Sequence, residues 1–195
     1  PKPHRPKAAR AHPQRDAVAA EPAPDNYPFV SDRLRRYFLE SDTGHSTVTF
    51  DAVMVRQPAS LLDFDRRLAA VQTFARLDQA ESLAAANKRI ANILRKAGDP
   101  QGLAVAAKLF ELDAEHTLHS ALDKSREKVQ PMLEQRRYAE ILNEQASLRD
   151  PVDRFFDDVM VMADDDAVRN NRLALLGEIR ALFLDVADIS RLSRG

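Results

Sequence analysis

Residues 150–192 have the sequence DPVDRFFDDVMVMADDDAVRNNRLALLGEIRALFLDVADISRL, and this stretch predicts two consecutive helices. We expect Asp150 at the N-cap of the first helix and Pro151 at its first helical position, where a missing N–H costs nothing. Its apolar residues share one face: Val152, Phe155, Phe156, Val159, Met160 and Met162. Charged residues occupy the opposite face, so this amphipathic helix must pack against a neighbour.

The second predicted helix is longer and more apolar. Asp164, Asp165 and Asp166 precede it, and carboxylates there accept hydrogen bonds from the first-turn N–H groups and interact favourably with the helix dipole. Its inner face is expected to carry Val168, Leu175, Ile179, Leu182, Phe183, Val186 and Ile189. A helix apolar over so much of its circumference is nearly enclosed by other helices. The expected fold class is therefore all-α, a helical bundle.

The composition of the 195-residue chain agrees with this expectation and excludes several kinds of site. Ala and Leu dominate an apolar fraction of 44%, with only 5 glycines, a composition that favours helices. The absence of cysteine excludes disulfides, thiolate catalysis and cysteine-based zinc sites. No apolar run approaches the roughly 20 residues that cross a bilayer, so we expect a cytoplasmic protein. The chain begins at Pro1, which suggests a fragment of a longer protein.

Three segments differ in character. Residues 1–26 are rich in proline and basic residues and almost free of large apolar side chains, so a disordered segment is expected there. The alternative is a basic arm that touches RNA phosphates through Lys2, Arg5, Lys7, Arg10 and Arg15. Residues 27–77 predict a helical linker portion, in which Ser60 caps a helix. Residues 78–195 predict the bundle itself.

The helix after Asp78 carries the most concentrated basic surface in the chain. Asp78 and Glu81 match a capping box, and Gly98 has the position of a C′ glycine. Opposite its apolar face lie Lys88, Arg89, Asn92, Arg95 and Lys96. Such a surface can bind phosphates. It can also be a plain solvated face, because basic residues favour the C-terminal end of any helix.

Beyond this helix the pattern is less regular. An acidic helix is expected from about Leu109 to Val129, and Pro131 is expected to kink or restart it. His116 and His119 have a spacing that could place two metal ligands on one helix face. Two solvated histidines are the favoured alternative, because no third ligand is recognisable.

Several strings resemble the end of the β subunit of bacterial tetrameric glycyl-tRNA synthetases, whose last domain is a DALR-type anticodon-binding domain. The strings with this resemblance are PVDRFFDDVMVM (151–162), NRLALL (171–176), RALFLDVADIS (180–190), AANKRIANIL (85–94), FVSDRLRRYF (29–38) and LLDFDRRLAAV (61–71). The resemblance implies a DALR-like helical bundle at 78–195 that engages the anticodon arm of the glycine tRNA. It also implies a synthetase α subunit as partner, within an α2β2 tetramer, and neither DNA nor a membrane.

The resemblance further implies that glycine, ATP and Mg are used by the holoenzyme as a glycine-tRNA ligase. This chain itself is expected to be inactive and to hold no cofactor, metal or catalytic residue. The candidate RNA-binding residues are Asn87, Lys88, Arg89, Asn92, Arg95, Lys96, Asn170, Asn171 and Arg172. Arg66 or Arg67 is expected to add a phosphate contact, and Tyr138 to stack on a base. A helical scaffold for protein association within the synthetase is the alternative function.

No GxGxxG, P-loop, nucleophile elbow, HExxH or kinase motif occurs in the sequence. Arg172 is unusual because it lies on the apolar face of the last helix, where an unpaired charge is costly. We therefore expect an internal salt bridge to Asp157 or Asp158, with RNA contact as the alternative.

Overall fold

The structure of the protein is a computed structural model that describes residues 27–40, 46–58, 60–98 and 102–193, with only the helical backbone at 27–31 and 39–40. Within these residues every regular element is helical, which confirms the expected all-α class. The helices are α1 (Tyr27–Glu40), α2 (Thr47–Met54), α3 (Leu61–Phe74), α4 (Ala80–Lys96), α5 (Asp113–Glu134), α6 (Tyr138–Gln145), α7 (Arg149–Asp158) and α8 (Asp166–Leu184). Short 3₁₀ turns lie at Ala107–Leu109, Ala146–Leu148 and Ile189–Leu192. The predicted disordered or basic segment 1–26 lies outside the described residues.

Of the predicted helix starts, those at Ser60 and Asp165 are confirmed, whereas those at Asp78 and Asp150 are wrong. The Ser60 side chain accepts a hydrogen bond from the Asp63 N–H, and the Asp165 carboxylate accepts from Ala167 and Val168. The expected box at Asp78 does not form, because α4 begins after Gln79 without a side-chain cap. At its other end Gly98 has a φ of 86°, as a C′ glycine requires.

The last two helices differ from the expected pair at their ends. α7 begins at Arg149, directly after the 3₁₀ turn, so Asp150 and Pro151 lie inside its first turn. It also stops at Asp158, and in the following connection Val159 and Val161 are buried while Met160 and Met162 are exposed. That alternation is typical of an extended segment, since successive side chains point to opposite sides.

α8 ends at Leu184, earlier than its apolar pattern indicated. Val186 and Ile189 are nevertheless buried, because the chain turns back onto the core through the 3₁₀ turn at Ile189–Leu192. The Asp188 N–H donates to the Ala52 carbonyl at 2.9 Å and fastens this turn to α2.

Pro131 does not interrupt the acidic helix. α5 runs unbroken from Asp113 to Glu134, so the predicted restart is wrong, while the alternative of a kink stays a prediction. Pro131 itself is exposed, while Val129 and Met132 on either side of it pack against the core. Burial of these neighbours stabilises the helix by about 1.5–3 kcal/mol per fully buried side chain, which offsets the loss of one backbone hydrogen bond.

One continuous apolar core joins the predicted linker portion to the predicted bundle. The rings of Phe38 and Phe50 both pack on Phe64, at centroid distances of 5.0 and 5.1 Å. Phe64 belongs to the same buried cluster as Phe155 and Phe183. The boundary between 77 and 78 stays a prediction, but packing is not interrupted there. Among the described helices, none combines the length and apolar character that crossing a membrane requires.

Candidate nucleic-acid interface

Helix α4 presents its basic residues to solvent, as its sequence pattern predicts. Leu83, Ile90 and Leu94 are buried on the inner face. Lys88, Arg89, Asn92, Arg95 and Lys96 are all exposed. An open groove runs along this surface and is lined by Ala85, Lys88, Arg89, Asn92, Ile93, Lys96 and Ser193. We call these five exposed residues, Lys88, Arg89, Asn92, Arg95 and Lys96, the α4 basic face.

The cations of the α4 basic face lack acidic partners, unlike most of the other cations that the structure describes. Within the part of the chain that the structure describes, no carboxylate pairs with Lys88, Arg89, Arg95 or Lys96, whereas several exposed arginines elsewhere do have such partners. Arg95 makes only a long contact of 3.4 Å to the Asn92 amide oxygen. Unpaired, solvated cations on one helix face can release counterions from a polyanion.

Arg89 is held in place by an aromatic ring that sequence analysis missed. Its guanidinium lies over Phe156 of α7, 4.2 Å from the ring centroid, a cation–π geometry that orients the planar group. The Ser82 hydroxyl fixes α7 beside α4 by donating to both Asp153 carboxylate oxygens, at 2.9 and 3.0 Å. Phe156 lay on the predicted apolar face of its helix, and nothing in the sequence pattern assigned Arg89 to it.

Two asparagines of the candidate set have structural bonds. The Asn87 side chain is buried and donates to the Leu83 carbonyl of its own helix at 3.0 Å. The Asn171 side chain accepts from the Ala106 N–H at 2.7 Å and donates to the Ala106 carbonyl at 3.2 Å. This pair of bonds fastens the connection before α5 to α8. Both amides are therefore occupied within the protein.

Arg172 lies in a buried ion pair, which confirms the expected internal salt bridge. Its partner, however, is neither Asp157 nor Asp158. Its Nε donates to Glu115 Oε1 at 3.0 Å, and its guanidinium also contacts Glu111 and the Met160 carbonyl. Asp157 and Asp158 are exposed near the end of α7. Because α7 stops at Asp158 and the chain becomes extended, it is the Met160 carbonyl that reaches the guanidinium.

Glu115 is fully enclosed and has every contact that a buried carboxylate needs. Its Oε2 accepts from the N–H groups of Glu111 and Leu112, both at 3.0 Å. Burial alone would raise the pKa of Glu115, but the hydrogen bonds from Arg172 and from these amides outweigh burial and lower it. Burial alone would lower the pKa of Arg172, but the hydrogen bond to Glu115 and the charge of Glu115 raise it. Both groups are thus charged and mutually satisfied.

Arg67 and Tyr138 form a second interior network with Asp63. The Tyr138 hydroxyl donates to Asp63 Oδ1 at 2.5 Å, and Arg67 Nε donates to Asp63 Oδ2 at 2.9 Å. Arg67 also lies over the Tyr138 ring and donates to the carbonyls of Asp185 and Val186. The network joins α3, α6 and the end of α8. These bonds occupy Arg67 and bury the ring expected to stack on a base.

The remaining candidates are exposed but lie elsewhere. Asn170 is exposed on α8 and is not among the residues lining the α4 groove. Arg66 is exposed on α3 and lines a different groove. His116 and His119 both contact the Phe110 ring, at 5.0 and 5.5 Å. In the described residues, no three His, Asp or Glu side chains form a group that could hold a metal ion.

Comparison with known proteins assigns this arrangement of helices to a family. The DALR anticodon binding domain model matches residues 83–189, which include the α4 basic face and the ion pairs of Arg172 with Glu111 and Glu115. The glycine–tRNA ligase beta subunit of Marinobacter nauticus is 52% identical over 165 residues, which are 84% of this chain and 24% of that protein.

Two further relatives are also glycine–tRNA ligase beta subunits. The Sodalis glossinidius protein is 51% identical over 164 residues, covering 84% of this chain and 24% of its own length. The Coxiella burnetii protein is 46% identical over 172 residues, covering 88% of this chain and 25% of its own length. The chain thus spans about a quarter of the length of the curated relatives it matches. Through the match at residues 83–189, the chain belongs to the DALR anticodon binding domain family.

Proposed function

We propose that this chain is the tRNA-binding part of a glycine–tRNA ligase β subunit and that it contacts the anticodon arm of the glycine tRNA. The observation that carries the proposal is the α4 basic face, whose four cations have no acidic partner among the described residues. The family match and the relatives' names support tRNA as the polyanion. The ligase activity, with its ATP and Mg, and the α subunit of an α2β2 tetramer belong to the proposed holoenzyme.

In the proposed complex Lys88, Arg95 and Lys96 neutralise phosphates, which position the RNA without reading its sequence. Arg89 offers a guanidinium already oriented by Phe156, and Asn92 supplies an amide that can bond to a base edge. Asn170 stays a candidate on a separate surface. Asn87, Asn171 and Arg172 are left out, because reaching RNA would break their internal bonds.

The test is equilibrium binding of the chain to the glycine tRNA and to the same tRNA with its anticodon bases replaced, each at two salt concentrations. Replacement is expected to weaken binding by about 1–3 kcal/mol, as for a lost base contact. The double variant Lys88→Ala/Lys96→Ala is expected to reduce the salt dependence by about 0.7–0.9 per lost phosphate contact.

Lys124→Ala provides the matched control, because Lys124 is an exposed lysine on α5, away from the α4 groove. It is expected to bind tRNA as the unmodified chain does. Equal binding of both RNAs would contradict anticodon recognition while leaving phosphate contact intact. An unchanged salt dependence in Lys88→Ala/Lys96→Ala would contradict the assignment of the site to α4.

The second candidate function is a helical scaffold for protein association within the synthetase. Two exposed methionines between α7 and α8 favour it, since Met160 is 75% and Met162 is 55% exposed. Flexible apolar side chains of this kind are frequent on protein-binding surfaces. The test is binding of the isolated α subunit to the chain and to the variant Met160→Ser/Met162→Ser. If the chain does not bind tRNA but binds the α subunit, and the variant binds the α subunit more weakly, the scaffold function replaces the RNA-binding proposal.

A further inference from the structure

A second basic groove lies between α3 and the start of α6. Its lining includes Arg66, Thr73, Arg136, Arg137, Tyr138 and one acidic residue, Glu140. None of these residues lines the groove of the α4 basic face. Tyr138 is held within this lining, because its hydroxyl is bonded to Asp63 and its ring is covered by Arg67.

Two arginines of this groove are exposed and have no carboxylate at salt-bridge distance among the described residues, although the charge of Arg136 helps to lower the pKa of the buried Asp63. Arg67 is paired with Asp63, and Arg137 is paired with Glu140. In the part of the chain described by the structure, neither Arg66 nor Arg136 is paired with a carboxylate. Both are exposed. The α6 helix also begins here, and Glu140 in its first turn, which pairs with Arg137, offsets the positive end of its dipole. The positive charge of the groove therefore comes from Arg66 and Arg136.

Arg136 occupies a backbone position that ordinarily belongs to glycine. The Arg137 N–H bonds to the Met132 carbonyl and the Arg136 N–H to the Leu133 carbonyl, which together form a Schellman motif at the end of α5. Arg136 is its C′ residue, with a φ of 54°. A side chain at positive φ is strained. The chain thus places a long cation where glycine would be more stable, at the edge of the groove.

We propose that the groove between α3 and α6 binds a backbone phosphate of RNA, with the guanidinium groups of Arg66 and Arg136 as the donors. The proposal rests on the proposed function, since it adds a second contact surface for the same RNA. Arginine suits this role because its planar fork matches two phosphate oxygens. A single RNA backbone offers phosphates at regular intervals, so it can reach two separate basic surfaces of one protein.

The decisive variant is Arg136→Gly, because binding and folding are expected to change in opposite directions. Glycine relieves the positive φ, so the Tm is expected to rise. At the same time the loss of one phosphate contact is expected to lower the salt dependence of tRNA binding by about 0.7–0.9. Arg66→Ala is expected to lower the salt dependence equally without raising the Tm. Arg66→Lys, which keeps the charge, is expected to retain the salt dependence.

Arg76→Ala is the matched control, since Arg76 is an exposed arginine just past the end of α3 and outside this groove. If Arg66→Ala and Arg136→Gly bind tRNA with the salt dependence of Arg76→Ala, the groove does not bind RNA phosphate and the proposal is overturned. If Lys88→Ala/Lys96→Ala still lowers the salt dependence of tRNA binding in that case, the proposed function stands. A chain that does not bind tRNA at all would overturn both.

Discussion

The hydroxyl of Tyr138 donates a hydrogen bond of 2.5 Å to the Asp63 carboxylate, and this contact joins α6 to α3 across 75 residues of sequence. Both side chains are buried. Burial and the bond to Asp63 raise the pKa of Tyr138. Burial alone would raise the pKa of Asp63 as well, but the bonds from Tyr138 and Arg67 outweigh it and lower that pKa. The contact is therefore a charge-assisted hydrogen bond inside the core.

Tyr138→Phe removes this donor and is expected to lower the free energy of unfolding by about 1.5–3 kcal/mol, the range for hydrogen bonds to charged groups. Urea unfolding followed by circular dichroism measures the change. Tyr37→Phe makes the same chemical change at a residue that is 67% exposed, and it is expected to alter stability by less than about 0.5 kcal/mol. Equal effects of the two variants would show that the buried bond contributes nothing.

The stability of the protein is expected to fall in acid because of Asp63 and Glu115. Their pKa values in the folded protein lie below the ordinary 3.8 and 4.5, so folding favours their ionised forms. This contribution is fully present above the ordinary values and is lost as the pH falls through the lowered ones. Urea unfolding from about pH 7 to about pH 3 measures the loss. Asp63→Asn is expected to flatten the curve.

Asp185 is expected to change stability with pH in the direction opposite to Asp63 and Glu115. Its burial raises its pKa above the ordinary 3.8, so ionisation of Asp185 opposes folding near neutral pH. Asp185→Asn is therefore expected to be more stable than the unmodified protein at about pH 7, and to lose this advantage in acid, where Asp185 is protonated in both states. A variant that is less stable at neutral pH would contradict the direction of the shift.

Arg172→Met is expected to destabilise the protein by about 3–5 kcal/mol, because it leaves the enclosed Glu115 carboxylate without its cation. Adding Glu115→Gln to this variant is expected to recover part of the loss, since the unpaired charge is then gone. The stability losses of Arg172→Met and Glu115→Gln, added together, should thus exceed the loss of the double variant. Arg154→Met breaks an exposed pair with Asp113 and is the control, with an expected cost of about 0–1 kcal/mol.

Two glycines are expected to respond oppositely to alanine. An added Cβ would meet no atom within 4 Å at either Gly98 or Gly177, so backbone preference alone decides the result. Gly98 has a positive φ, and Gly98→Ala is expected to cost about 1 kcal/mol. Gly177 lies inside α8, and Gly177→Ala is expected to gain about 0.5–1 kcal/mol. Thermal unfolding measures both changes. Tm shifts of the same sign in the two variants would contradict the conclusion that backbone preference decides the result.

Sequence periodicity alone determined the helical class and which faces of α4 and α8 are buried. The inner residues of α4 and α8 follow from the 3.6-residue repeat, because burying an apolar face is a local requirement of any amphipathic helix. The caps at Ser60 and Asp165 follow from chemistry within four residues. The exposure of Lys88 and Lys96 could be predicted for the same reason.

Only the tertiary structure decided which polar residues are available for binding. Asn170 and Asn171 are neighbours in the sequence, yet the first is exposed and the second is bonded to Ala106 in the connection before α5. The partner of Arg172 depends on where α7 ends, which the pattern of Val159, Met160 and Met162 did not indicate. Pairing between residues distant in sequence is set by helix packing and by the desolvation cost of each charge. A local pattern contains neither quantity, and so the contacts of Arg67, Tyr138 and Arg172 emerged only from the fold.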